Sequence, residues 1–368
     1  MNTCRACAGS DLTIVLDLGI TPAADCFPLA AEPISAAESA HPLAMALCGG
    51  CGLAQLADDD TETQEPRGVE PQALVDQARA AVGDAATAGL LRGSTATEFG
   101  SPHGGTWLPH LTDRGYRTVG HDHPGGADVV IDSLGIMHDA DQAAAVARRA
   151  AATAPGGVLL LHYLPIATIV RQGQWNALRH GHFAYYSMPA MVRLLAAAGM
   201  SPVTAHEYDL YGGTVVCAAV HGNVAPDSTV TALLERDAAM GDPAVVAGLQ
   251  RAADTQIANL RSWLAEQAAQ GHRVLAYGAA SRAVASFCLA GLDRRLVAAV
   301  GDAAPAKRGR RMPGTDIPIV SPAEFAAAQP DRILLTVPDL YREVAANFPE
   351  LAGRWYVDDP EHGVRAAQ

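Results

Sequence analysis

A chain of 368 residues with 49% apolar and 18% charged residues is long enough for two or three domains, each burying its own core. Its net charge of −13 argues against partners such as nucleic acid or acidic lipid, which need a positive field. No apolar run approaches the roughly 20 residues of a membrane span, and no basic stretch followed by an apolar one opens the chain, so a cytoplasmic protein is expected.

Residues 1–56 read as a small unit. "CRAC" (Cys4, Cys7) precedes a short strand and turn, and "CGGC" (Cys48, Cys51) follows a second strand. Two C-x-x-C turns each set two thiolates on one side of a tight loop, and together they complete a tetrahedral, closed, structural zinc site. The alternative is two unrelated pairs or a redox dithiol; Cys26 is not expected to ligate. Residues 57–70 are acidic and punctuated by Pro and Gly, as a linker would be. A helix is predicted over 72–92. Strands "ATEFG", "YRTVGHD", "DVVIDSL", "GVLLLHY" and "TVVCAAV" then alternate with helices, including 140–154 and 188–198, which argues a parallel α/β sheet within 57–225. Residues 226–368 contain a long amphipathic helix over 245–270 and a second α/β unit that begins at "RVLAYGAAS".

Several motifs carry chemistry. In "EFGSPHGG" an acid ends a strand and glycines open the backbone to a cofactor, with Glu98, Gly100 and Gly104 in those parts, or the stretch is a plain strand–helix connection. Asp122 ends the next strand, where an acid can accept from ribose hydroxyls. Eight histidines crowd the middle: His103, His110, His121, His123, His138, His162, His180 and His182. "RHGHFAYYS" is the densest stretch. Alternate residues of an extended segment point one way, so His180 and His182 are predicted to face one cleft, with Tyr185 and Tyr186 alongside. A catalytic metal on this H-x-H lacks an obvious third ligand. Tyr277, Gly278, Ser281 and Arg282 open the last unit as a strand and a small-residue loop suited to an anion. Lys307, Arg308, Arg310 and Arg311 form a basic loop, read either as phosphate partners or as a solvated face.

Together these pieces resemble the sugar C-methyltransferases of deoxysugar biosynthesis. The likeness rests on "CRAC…LDLGITPAAD…HPLAMALCGGCGLAQL", "HGHFAYYSMPAMVRLLAAAGM", "YGGTVV", "YGAASRA" and "DAAPAKRGRRMPGTDIPI". It implies an N-terminal zinc domain, a core that binds S-adenosylmethionine, a C-terminal Rossmann-like domain and a dTDP-linked 4-keto-6-deoxysugar as substrate. This chain departs from the family pattern at Pro102 and His103, which replace an Asn-Asp pair, and at Arg179 and Gly181, which replace a tyrosine and a glutamate. "EPRGVEPQ" stands in place of a tyrosine- and serine-rich segment. After "VGHD" the family has a further helix and strand, some thirty residues, whose end supports the adenine. Here "HPGG" leads almost directly to the next strand. Loss of that wall removes apolar contact area from the cofactor pocket. The expectation is therefore an isomerase, epimerase or tautomerase that works without S-adenosylmethionine. In it His182 is the base, His138, at a family histidine position, is the partner acid, and Tyr185 or Tyr186 holds the oxyanion. The alternatives are an active C-methyltransferase and a non-catalytic zinc-containing binding protein.

Overall fold

The structure is a computed structural model that describes residues 3–61, 70–100, 105–360 and 362–367. The N-terminal unit is an antiparallel sheet of β1 (Leu12–Thr21), β2 (His41–Cys48) and β3 (Ala54–Leu56). After the linker, α1 (Gln72–Thr87) leads into β4 (Thr95–Phe99), a short α2 (Leu108–Thr112), a two-residue β5 (Arg117–Thr118) and β6 (Ala127–Ser133). Next come α3 (Gln142–Ala152), β7 (Thr153–Tyr163), α4 (Ile166–Arg171), β8 (Ala184–Tyr185), α5 (Met188–Ala197), β9 (Met200–Tyr208) and β10 (Thr214–His221).

The middle sheet has the order β5-β4-β6-β7-β10-β9. β4, β6 and β7 run parallel, whereas β10 is antiparallel to both β7 and β9, so the sheet is mixed and not wholly parallel as predicted. Its central strands are apolar on both faces because both are covered. Val129, Ile131, Val158 and Leu160 pack with α1 and Trp107, while Val130, Leu159 and Leu161 pack with α3 and α5. Side-chain caps mark the helix starts that the sequence suggests: Asp141 accepts from the Ala144 N–H and Ser187 from the Ala190 N–H. β5 is a sheet edge. Among the described residues nothing pairs outside it, and the chain turns at 121–126 straight into β6, in line with the short connection in the sequence.

The C-terminal part begins with α6 (Ser228–Asp237), α7 (Pro243–Val246) and the long α8 (Gly248–Ala269). A second six-stranded sheet follows: β11 (Val274–Tyr277), α9 (Ser281–Leu289), β12 (Val300–Gly301), β13 (Ile319–Val320), α10 (Pro322–Ala327), β14 (Arg332–Leu335), α11 (Tyr341–Ala346), β15 (Trp355–Asp359) and β16 (Gly363–Ala366). The order is β13-β12-β11-β14-β15-β16, parallel except for β16. The order reverses between β11 and β14, and a crevice at the carboxyl ends of the strands opens there.

The N-terminal sheet does not close within residues 1–56. β8 pairs with β3 as its fourth strand, with Ala54 opposite Tyr185 and Gln55 opposite Ala184. Arg311 makes a buried two-pronged ion pair with Glu38, and Ser281 donates to Asp25, which tie the same unit to the C-terminal part. Among the described residues no helix is long and apolar enough to cross a membrane.

Candidate active site

The two cysteine pairs converge as predicted. All four thiol sulfurs lie within 4.8 Å of one another, with Cys4 3.5 Å from Cys51 and Cys7 3.6 Å from Cys48. A tetrahedral zinc thiolate site with ~2.3 Å bonds has sulfur–sulfur edges of roughly 3.8 Å, so the four residues fit zinc. The hydrogen bond from Cys51 is the main cause that draws the Cys4 thiol down to about 5, the direction a metal ligand needs. Behind the knuckle, buried Arg5 donates to the carbonyls of Leu56 and Ala140, joining the zinc unit to the middle sheet.

The loop 179–187 is built onto this scaffold. The Gly181 N–H donates to Asp59 at 2.7 Å, the Phe183 N–H to the Met137 carbonyl at 2.7 Å, and the Leu56 N–H to the Phe183 carbonyl. Arg5 lies over the Phe183 ring at 4.6 Å. These contacts hold His182 against His138, ring centroids 4.5 Å apart and edge to face. Arg179 Nε donates to His182 Nε2 at 2.8 Å. Since a guanidinium can only donate, Nε2 carries a lone pair and the ring proton sits on Nδ1.

His182 and Arg179 line a cavity of about 240 Å³. Its other walls include Leu134, Met137 and Tyr211 of the middle part, and Ser281, Arg282 and Lys307 of the C-terminal part. The chamber thus lies between the two α/β units. Tyr211 reaches it from the "YGG" turn, where Tyr211 has φ +54° and Gly212 φ +79°. A Cβ on Gly212 would lie 1.8 Å from the Gln172 side chain, so only glycine fits.

The predicted residues are not all brought together. His180 turns away to the Pro42 carbonyl and stands edge-on to His41, because Gly181 has φ +77° and breaks the extended run that would have aligned the two imidazoles. Tyr186 is buried and donates to Gln142 at 2.5 Å in the core, which removes it from an oxyanion role. Tyr185 borders the chamber, yet its hydroxyl is spent on the Ala177 carbonyl and the Arg179 N–H, and burial pushes its phenol far above the usual range. The Tyr277 ring packs among Phe325, Phe348 and Trp355, and Gly278 is where a Cβ would strike Thr336. Arg310 donates to the Phe27 and Ala306 carbonyls, so with Arg311 it staples loops and does not face the chamber. Lys307 lines the chamber while donating to the Ala279 carbonyl at 2.7 Å. His162 is buried between Gln77 and Ser133, where burial drives its imidazole down to about 3. Asn176 and Tyr211 line the chamber without having been expected there, and so does Arg179, which the sequence marks only as a departure from the family pattern. The "YGG" motif was the one available signal for Tyr211.

The residues expected to hold a methyl donor stand at the ends of β4 and β5. Gly104, with Pro102 and His103, falls outside the described residues. Glu98 lies one residue before the end of β4, close to where it was expected, but its carboxylate accepts from the Trp107 N–H at 2.9 Å and from the Thr106 hydroxyl, and burial raises it. Gly100 faces open space, as a cradle for the donor's amino-acid end requires. Asp122 is exposed and lies back over Gly120. His121 stacks on Phe99 at 4.1 Å and, with Arg149 over the same ring at 4.5 Å, borders the edge where the outer wall is missing. Among the described residues Gly100 leaves space at the end of β4, Glu98 is already bonded within its own loop, and no strand lies outside β5.

Comparison with known proteins matches residues 4–62 to a family described as "Putative zinc binding domain" and residues 209–357 to "C-methyltransferase C-terminal domain". The chain is 25% identical to C-methyltransferase NovU of Streptomyces niveus over 421 aligned positions, covering all of this chain and 98% of that one. The alignment is 53 positions longer than the 368 residues here, in keeping with a trimmed core. Solved structures that resemble parts of it include magnesium protoporphyrin IX methyltransferase of Synechocystis PCC 6803 (12% identity, TM-score 0.30, 41% of this chain and 84% of that one). Another is 1,6-didemethyltoxoflavin-N1-methyltransferase of Burkholderia thailandensis (14%, 0.30, 46% and 96%). The full-length likeness to NovU and the match at 209–357 overturn the expectation of an isomerase that dispenses with S-adenosylmethionine. A shortened pocket lowers the affinity for a donor by a finite amount and does not by itself change a reaction class, so the deletion does not carry the isomerase expectation. The chain thus carries a match to a zinc-binding domain at one end and to a C-methyltransferase C-terminal domain at the other, and over its whole length it is similar to a C-methyltransferase.

Proposed function

We propose that the protein methylates the carbon beside the ketone of a nucleotide-linked 4-keto-6-deoxysugar, dTDP-linked as the family resemblance suggests, with S-adenosylmethionine as donor. The observation that carries this reading is the chamber between the two α/β units, with the His182 lone pair directed by Arg179 and with cationic side chains from the C-terminal part opposite. Bound S-adenosylmethionine supplies an electrophilic methyl group, and Glu98 and Gly100 stand where its amino-acid end would be held. His182 Nε2 takes the proton next to the ketone, and an enolate forms. As that oxygen becomes negative, the Arg179 guanidinium moves from Nε2 to the oxyanion, the part first assigned to a tyrosine. His138 buttresses the His182 ring edge-on and keeps it aimed. Leu134, Met137 and Leu164 line the apolar side of the chamber and keep water from the enolate.

The test is incubation of the purified protein with S-adenosylmethionine and a dTDP-4-keto-6-deoxysugar, read by mass spectrometry. Product heavier by one methylene group, absent with His182→Gln, is the expected result. Unmodified sugar at every donor concentration, from a protein that is folded and zinc-loaded, refutes it.

A further inference from the structure

Both tyrosines of the loop 179–187 have their hydroxyls bonded within the protein. A third phenol stands on the chamber wall. Tyr211 comes from the turn between β9 and β10, and its half-buried side chain lines the chamber. Its hydroxyl makes no hydrogen bond with any described residue and is not sealed away from the chamber.

The turn that presents this phenol is strained and firmly held. At φ +54° Tyr211 occupies a region that a residue with a Cβ enters at a cost and keeps only where its surroundings impose it. Gln174 Nε2 donates to the Tyr211 carbonyl at 3.1 Å and Gln172 Nε2 to the Gly212 carbonyl at 2.6 Å. The Gly212 N–H donates to Asp339 at 3.1 Å and the Gly213 N–H to the Leu210 carbonyl at 2.9 Å. All four bonds use main-chain atoms of the turn, so none of them needs a tyrosine. The ring packs against the core on two sides, with the Arg282 guanidinium over it at 5.5 Å. Phenylalanine would serve that packing equally. What the fold leaves unused is the hydroxyl.

Its surroundings suit a hydrogen-bond donor. Burial holds the phenol above its ordinary range, so it keeps its proton at neutral pH, and the carboxylates of Asp339 and Glu343 act in the same direction. Arg282 and Arg179 pull the other way, and a cation beside an O–H strengthens its donation to an anion. A chamber of about 240 Å³ has room for little more than one sugar ring, so Tyr211, Arg179 and His182 reach the same ring from its walls.

We propose that Tyr211 is a further catalytic residue, whose hydroxyl donates a hydrogen bond to the ketone oxygen of the sugar and, with Arg179, completes a two-donor oxyanion site. His182 Nε2 takes the proton beside the ketone, and the electron pair of the broken C–H bond passes to the ketone oxygen. When the carbon attacks the methyl group the pair returns and the ketone reforms. Tyr211 keeps its proton throughout. This role rests on the function proposed above and deepens it by naming a group on the wall away from the loop 179–187.

The test follows exchange of the proton beside the ketone of a dTDP-4-keto-6-deoxysugar with deuterated water, using the full-length, zinc-loaded protein and no methyl donor. Loss of one oxyanion donor lowers a rate by about 10²–10³-fold, and Tyr211→Phe is expected to fall within that range with KM nearly unchanged. Its melting temperature should match the parent's, because the missing hydroxyl leaves no partner stranded. Exchange at the parent rate in folded Tyr211→Phe overturns the role. A clear fall in melting temperature overturns it as well, by showing that the hydroxyl holds structure. A difluorinated tyrosine placed at 211 supplies a second readout, since its more acidic phenol should move the alkaline loss of exchange to lower pH; a profile that stays in place counts against a phenolic donor. The two readings fail separately. Exchange and methylation that need His182 but not Tyr211 remove this role alone, whereas a parent protein that neither exchanges nor methylates removes the proposed reaction and the role with it.

Discussion

Asp59 is the link whose removal reports most directly on how His182, the proposed base, is held. Its carboxylate accepts from the buried Gly181 N–H at 2.7 Å, and from the Thr61 N–H and hydroxyl at 2.9 and 2.6 Å. Asp59→Ala strands the Gly181 donor. A hydrogen bond to a charged group contributes about 1.5–3 kcal/mol, and at about 1.4 kcal/mol per tenfold this sets a ceiling of roughly 10- to 150-fold on the loss of correctly placed His182. The assay is the rate at which the proton beside the sugar ketone exchanges with deuterated water, which reads the base without the donor. The expected result is a fall within that ceiling, with zinc content and melting temperature nearly unchanged. Asp59→Asn, which keeps a carbonyl acceptor, should recover most of the rate. Exchange at the parent rate in a folded Asp59→Ala protein would refute the claim that the zinc unit positions the loop.

Chelation of zinc should unfold the N-terminal sheet, since structural zinc contributes on the order of 10 kcal/mol in small domains. Because β8 belongs to that sheet, exchange at the sugar should vanish with the metal; activity that survives in metal-free protein, checked by elemental analysis, counts against it. Arg149→Leu leaves Asp132 buried without its ion pair and should cost about 3–5 kcal/mol in denaturant titration, with Asp132→Asn added to Arg149→Leu recovering part of the loss. Asp358, raised from 3.8 to about 7 by burial, favours the folded state when protonated. Its contribution is full below about 3.8 and is lost as pH rises to about 7. Asp358→Asn should therefore gain melting temperature relative to the parent between pH 5 and 8, and parallel curves would contradict this. Finally, the missing wall, if it withholds roughly 100 Å² of apolar contact at ~25 cal/mol per Å², removes about 2.5 kcal/mol from donor binding. Calorimetry should then find S-adenosylmethionine roughly 70-fold weaker than in a relative with the wall, and equal affinity would show that another segment replaces it.

The zinc centre and the buried strands were legible because their signals are local. C-x-x-C spacing places two sulfurs by itself, and runs such as "VVI" and "VLLL" announce strands covered on both faces. Strand direction is not local, and nothing in "TVVCAAV" says that it returns antiparallel beside β7. The loop 179–187 shows the same limit. The alternation argument needed an extended chain, and the positive φ of Gly181 sends His180 to Pro42 and leaves His182 in the chamber. The basic loop looked like a phosphate site because its partners are distant in sequence. Arg311 meets Glu38, and Arg310 meets the Phe27 carbonyl, more than 270 residues away. Arg282, named with the anion-suited loop, does line the chamber and lies over the Tyr211 ring.

These placements explain how, on the proposed function, one chain can hold an ordered substrate side beside a reduced donor side. His182 is fixed by β3, Asp59 and the Met137 carbonyl, and the opposite wall is tied to the same zinc unit through Asp25 and Glu38. The substrate chamber is therefore closed by three parts that brace one another. Among the described residues β5 pairs with β4 alone and ends the sheet, so a shorter chain beyond it disturbs no described strand that supports His182. Donor affinity and base placement are thus separable properties of this fold. A substitution at the β5 edge should change the first without the second, and one at Asp59 the second without the first.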